Sequence, residues 1–359
     1  MRAALMPLVE RTIRRNQVVL KVTGKATAML RNLSLKPYTP KRRTREFTAA
    51  NGLPSLHAVR TTIFREKGEG TIPTIVIAGF VPDATEVIEF QRPLLKEFGS
   101  IYYLNYPRTG FSLPLFFAQL ADLVEEINRQ GERPVLFGVS FGAGLIVKFM
   151  HEAFPHEKLQ IRGISLVSPV LCKDDLVRPG GEKGGGVRML ESNLRRILQA
   201  RSDDKSGIER QIERARRGFV GLFEAGAGNR RLTGRHLAIR KKIFDVLEKT
   251  PAIGGYERVL ALQSFQEPGD GPLFGGPVLT LLAEAEENLL VPTSPTLALC
   301  RDRAWFNRFF PHGICRRVSS GTDDDPVAHA SLIFHHQHYN PLLASWYNRL
   351  TAPKLFAAI

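Results

Sequence analysis

Hydrophobic residues in the first half of the chain come in short unbroken runs separated by longer stretches of mixed character. Residues 74–78 are a β-branched run closed by Gly79, and residues 100–105, 134–139 and 161–168 repeat the pattern. Runs that are apolar on both faces predict strands of a parallel sheet buried on both sides. Between them, residues 91–98, 115–130 and 143–153 carry apolar positions at helical spacing, with Gly131 as a stop signal. Upstream, residues 47–50 and 56–64 flank Asn51-Gly52, a favoured two-residue turn, and predict an antiparallel hairpin. The rhythm breaks near Cys172. Residues 172–270 hold 20 Lys or Arg and 14 Asp or Glu, are helical in pattern, and begin with a glycine-rich stretch at 180–186. They predict a helical insertion within one fold. Sheet pattern returns at 277–283 and 314–319, and residues 340–350 predict a closing helix. Strands alternating with helices predict an α/β fold with a mostly parallel central sheet and helices on both faces. The expected division is a basic segment at 1–46, a first core part at 47–171, the insertion at 172–270 and a second core part at 271–359.

Composition narrows the class. The chain has 359 residues, 43% hydrophobic and 24% charged, ordinary values that exclude a disordered, collagen-like or coiled-coil chain. Three widely spaced cysteines, Cys172, Cys300 and Cys315, imply neither a disulfide framework nor a paired-cysteine metal site, and point to a reducing, cytoplasmic setting. No apolar run approaches the roughly 18 residues of a spanning helix. The net charge of +15 is uneven: residues 1–46 carry twelve Lys or Arg against two Glu. Apolar positions among these charges, from Leu5 to Leu33, predict a basic helix over 2–36. Such a segment either packs on the core with its charges in water or docks on an anionic membrane surface, peripheral to the inner face. A nucleic-acid role is not expected, because the cluster at 41–45 has no nucleic-acid-binding motif around it.

Gly138-Val139-Ser140-Phe141-Gly142 carries the chemistry. A nucleophilic serine must stand clear of the sheet, within reach of a base and of backbone donors. A sharp strand-to-helix turn achieves this but crowds the neighbours, and glycine two residues to either side relieves the crowding. Here the pattern follows the apolar run 134–137 and opens a helix, which is the context the motif requires.

This context resembles the α/β-hydrolase superfamily over about residues 47–352. The loop Asn105-Tyr106-Pro107-Arg108-Thr109-Gly110-Phe111-Ser112 is similar to the family's D-x-P-G-x-G-x-S loop, with Asn for the usual Asp. The resemblance implies a serine hydrolase whose inserted helices act as a lid. It implies Ser140 as nucleophile and an oxyanion hole from the backbone N–H groups of Phe141 and of Phe80, in Ala78-Gly79-Phe80 where many relatives begin His-Gly. It implies His329, in Val327-Ala328-His329-Ala330-Ser331, as the base after the last strand. The family's acid position falls on Glu286, with Glu287 as the neighbouring alternative and Asp174 or Asp175 as a placement some relatives use. Glu284, nearer the strand, reads as structural. His335, His336 and His338 read as packing or mouth-lining residues, and no metal or organic cofactor is implied. Phenylalanines 80, 111, 116, 117 and 141 favour an ester or thioester of an apolar, lipid-like acyl group. An acyltransferase with the same three residues and a non-catalytic membrane-associated binding protein are the competing readings.

Overall fold

The computed structural model describes residues 34–53, 59–178, 188–200, 204–228, 230, 232–262, 266–267, 269 and 271–351. The basic helix expected over 2–36 therefore lies almost wholly outside the described residues. Among the described residues, eight strands form one sheet in the order β1-β2-β4-β3-β5-β6-β7-β8. They are β1 (Lys36–Tyr38), β2 (Thr62–Glu66), β3 (Thr74–Ile77), β4 (Ile101–Asn105), β5 (Val135–Val139), β6 (Gly163–Val167), β7 (Val278–Ala283) and β8 (Gly313–Val318). β2 runs antiparallel to both β1 and β4, and the pairs from β4 to β8 are all parallel. Every residue of β3, β5 and β6 is buried, as expected where helices cover both faces.

The described helices are α1 (Thr44–Ala50), α2 (Ala84–Val87), α3 (Arg92–Phe98), α4 (Leu113–Arg129), α5 (Phe141–Glu152), α6 (Arg188–Gln199), α7 (Lys205–Ala227), α8 (Gly234–Lys249), α9 (Ala252–Leu260), α10 (Pro295–Arg301), α11 (Arg303–Phe309) and α12 (His336–Thr351). Helices α6 to α9 fall between β6 and β7 and turn apolar side chains onto the sheet's C-terminal edge. Ile239, Ile243 and Leu247 of α8 cluster with Ile333 and Phe334, just beyond His329.

The hairpin expected over 47–64 does not form. Asn51-Gly52 does turn, with Gly52 at φ 87°, but the residues before it are helix α1. The Asp122 carboxylate of α4 accepts from the Glu46 amide at 3.0 Å, a carboxylate at a helix start. Gln119, also on α4, pairs with Thr61 through both main-chain groups. Two polar side chains of a distant helix thus claim both arms of the expected hairpin, and β2 pairs instead with β1 and β4.

The chain moves from β3 to β4 on one side and then crosses to β5 on the other. The switch point between β3 and β5 is where an open parallel sheet leaves a crevice beyond its strand ends. Phe80 follows β3 and Ser140 follows β5.

Candidate active site

Ser140 links β5 to α5 with φ 52° and ψ −116°, a left-handed backbone that a serine adopts only when its surroundings impose it. The packing demands this turn. A Cβ at Gly142 would stand 2.2 Å from the Ile77 carbonyl oxygen, and one at Gly138 would stand 2.6 Å from the Ala143 Cα. Helix α5 can therefore start against β3 only with glycine at both positions, and the tight start lifts Ser140 out of the sheet.

Three side chains from separate segments meet here. His329 Nε2 lies 2.9 Å from Ser140 Oγ, and His329 Nδ1 lies 2.5 Å from Glu286 Oε2. Glu286 opens a 3-10 turn after β7, is 3% exposed, and its Oε1 accepts from the Ala283 amide at 2.7 Å. A carboxylate oxygen only accepts, so Nδ1 donates to it and Nε2 is left to accept from the serine hydroxyl. This arrangement lets the imidazole take the hydroxyl proton as the oxygen attacks.

The other acidic residues take different places. Glu287 points outward, its side chain 62% exposed, and pairs with Arg301. Asp175 is fully buried and accepts from the amides of Leu171, Cys172 and Thr296 and the hydroxyls of Ser294 and Thr296, tying α10 to the turn after β6. Asp174 lies in that same turn. Glu284 accepts from Ser319, Ser320 and Val327, and these bonds, led by the Ser319 hydroxyl, hold its carboxyl below the usual carboxylate range. It fastens the loop that carries His329.

The two residues expected to offer backbone donors, Phe80 and Phe141, pack against each other beside the serine. Phe141 is the first residue of α5, so its N–H has no carbonyl partner within the helix. Phe80 stacks on Phe141 with ring centroids 4.3 Å apart, which holds the loop after β3 against the start of α5. Two residues that the sequence did not single out brace this geometry. Arg258 of α9, 3% exposed, donates to the Phe80 carbonyl at 3.3 Å and the Pro107 carbonyl at 2.6 Å, with its guanidinium over the Tyr106 ring. Burial pulls that guanidinium down to about 10, and the charge of Arg108 acts in the same direction. Ser168, after β6, accepts from the Ala330 amide at 2.9 Å and so anchors the residue next to His329. Neither is part of a local motif, so no sequence signal marked them.

A cavity of about 170 Å³ opens beside Ser140 and His329, lined by Phe80, Leu194, Phe219, Phe223, Ile243 and other apolar residues. Its roof comes from α6, α7 and α8. His335 is buried, bonded through Nδ1 to Ser331 Oγ and through Nε2 to Arg230. His336 stacks on Phe90. Among the described residues, no three His, Cys, Asp or Glu side chains are grouped to hold a metal ion, and no helix is long and apolar enough to cross a membrane.

No protein-family model and no curated protein sequence matches the chain. Solved structures do resemble it. An esterase from Exiguobacterium antarcticum is 13% identical with a TM-score of 0.53, over 80% of this chain and 96% of that one. A membrane phospholipase A is 15% identical with a TM-score of 0.55, over 98% and 100%. An epoxide hydrolase from Bacillus megaterium is 11% identical with a TM-score of 0.54, over 80% and 97%. Identities this low speak for architecture and not for a reaction. Taken with the strand order and the strained serine at the end of β5, they establish that this chain has the α/β-hydrolase fold.

Proposed function

We propose that the protein is a serine hydrolase cleaving a carboxylic ester or thioester of an apolar acyl group, with Ser140, His329 and Glu286 as its catalytic triad. The observation that carries this reading is the hydrogen-bonded row from Ser140 Oγ through the His329 ring to Glu286, facing an apolar cavity. In the reaction, Ser140 Oγ attacks the acyl carbonyl while His329 Nε2 takes its proton. The N–H groups of Phe80 and Phe141 receive the developing oxyanion. His329 returns the proton to the leaving alcohol or thiol, and a water activated by the same nitrogen then hydrolyses the acyl-enzyme. Glu286 orients the imidazole and stabilises its charged form. Helices α6 to α9 serve as a lid, with Leu194, Phe219, Phe223 and Ile243 forming the side of the cavity that faces the core. Resemblance to a membrane phospholipase A fits a lipid-derived ester. The test is labelling with a fluorophosphonate probe, which needs no knowledge of the substrate. Wild-type protein is expected to take up the label and Ser140→Ala to take up none. Equal labelling of the two would remove Ser140 as nucleophile.

A further inference from the structure

We infer that the lid contains a second, distal acyl subsite, and that Phe219 sets the length of hydrocarbon chain the protein accepts. The inference rests on the serine-hydrolase reading and specifies its substrate.

A separate cavity of about 60 Å³ lies inside the lid, walled by Ile197, Ile212, Val246, Leu247 and Val259. These side chains are all less than a tenth exposed. Phe80, Val81, Leu194 and Phe219 line both this cavity and the one beside Ser140, so the two adjoin across these residues. The aromatic pair in the partition is unequal. Phe80 is held by its stack on Phe141, which is 1% exposed in the core. Phe219 hangs from α7 in the lid, half-buried, with its ring 6.3 Å from that of Phe80 and tilted by 47°. Phe219 is therefore the lid's side of the partition, packed against both hydrophobic clusters and without a stack like that of Phe80 on Phe141.

Size argues for the occupant. An apolar cavity of about 150 Å³ holds one benzene, so the chamber of about 170 Å³ at Ser140 takes an acyl chain of about six carbons. A longer chain must leave the wall or pass Phe219 into the lid, where apolar lining replaces water. Most polar groups around the distal chamber are already engaged. Arg216 donates to the Thr250 carbonyl, Thr250 Oγ1 donates to Val246, and Arg258 donates to Phe80 and Pro107. Arg258 Nε is buried without a protein partner, which makes an ω-carboxylated chain the competing occupant.

The experiment is a chain-length series of p-nitrophenyl esters, from acetate to hexadecanoate, with wild type, Phe219→Ala and Phe219→Trp. Each methylene that gains a buried place is worth about fourfold in kcat/KM, the equivalent of about 0.8 kcal/mol. Opening the partition should raise the dodecanoate-to-hexanoate ratio by about tenfold or more, and filling it with Trp should lower the ratio by a similar factor. Melting curves check that both variants fold, and Phe219→Leu should fall between Ala and wild type. An unchanged ratio in folded Ala and Trp variants overturns the inference, as does a preference for the mono-ester of dodecanedioic acid over dodecanoate. Calorimetric binding of the hexanoate and dodecanoate esters to Ser140→Ala, with and without Phe219→Ala, keeps the two readings apart. Absence of turnover in wild type defeats the hydrolase reading alone. A binding ratio that does not respond to residue 219 defeats the subsite.

Discussion

Glu286 and Glu287 are neighbours with opposite surroundings. The first is buried, with both carboxylate oxygens engaged, one on the Ala283 amide and the other on His329. The second is exposed and paired with Arg301, an interaction that water screens to a few tenths of a kcal/mol. A buried carboxylate at Nδ1 stabilises the imidazolium that forms as the serine attacks, and an amide cannot do so. Glu286→Gln is therefore expected to lower kcat by about 10²–10⁴-fold, whereas Glu287→Gln should leave it within about twofold. Steady-state hydrolysis of p-nitrophenyl butyrate separates the two. A severe loss in Glu287→Gln with normal turnover in Glu286→Gln would reverse the assignment.

At the scale of elements, α9 is a brace between the inserted helices and the core. Its Glu257 accepts from the Phe111 amide at 2.5 Å, and its Arg258 joins the carbonyls of Phe80 and Pro107 across 178 and 151 residues of chain. Among the described residues Arg258 has no carboxylate within ion-pair distance, and two carbonyls with an aromatic face only partly offset the cost of burying its charge. Its place is explained by what it holds, namely the loop that presents the Phe80 N–H. Removing the side chain would leave the buried Pro107 carbonyl without this donor, at about 1–3 kcal/mol, and free the part-buried Phe80 carbonyl at a smaller cost. Arg258→Ala should thus lower the melting temperature and reduce kcat by about 10–100-fold while KM changes little, because the oxyanion appears only in the transition state. Arg258→Lys should recover part of kcat. A change confined to KM would show that Arg258 contacts substrate and does not act through Phe80.

For the whole molecule, the excess positive charge divides between the core and the N-terminal segment. Part of the basic cluster at 41–45 is turned inward. Arg45 binds Asp122, Glu125 and Glu157, and these bonds, Glu157 first, raise its basicity further. Residues 1–33 still carry seven Lys or Arg and one Glu. Each basic residue near an anionic bilayer contributes about 1 kcal/mol, so the full chain is expected to co-sediment with phosphatidylserine vesicles and not with neutral ones. Salt should weaken this binding, and Glu at Arg11, Arg14 and Arg15 should abolish it. Equal sedimentation with neutral and anionic vesicles would rule out electrostatic docking.

What the sequence alone determined is what depends on short-range order. Parallel strands buried on both faces must be apolar at every position, so residues 74–78, 134–139 and 161–168 announce β3, β5 and β6 without reference to any partner. The serine turn is equally local: glycine is required two residues to each side because strand and helix collide within five residues. Tertiary structure decided the rest, wherever the deciding partner is distant in the chain. Asn51-Gly52 is a sound hairpin signal, yet about seventy residues on Asp122 caps residues 44–50 as a helix and Gln119 takes the main chain of Thr61. Which of two adjacent glutamates meets His329 depends on a single 3-10 turn whose direction is set by packing. The bracing by Arg258 and Ser168 joins segments more than 150 residues apart, and a pairing over that distance leaves no period or motif in the sequence, because only the folded sheet brings its two ends together.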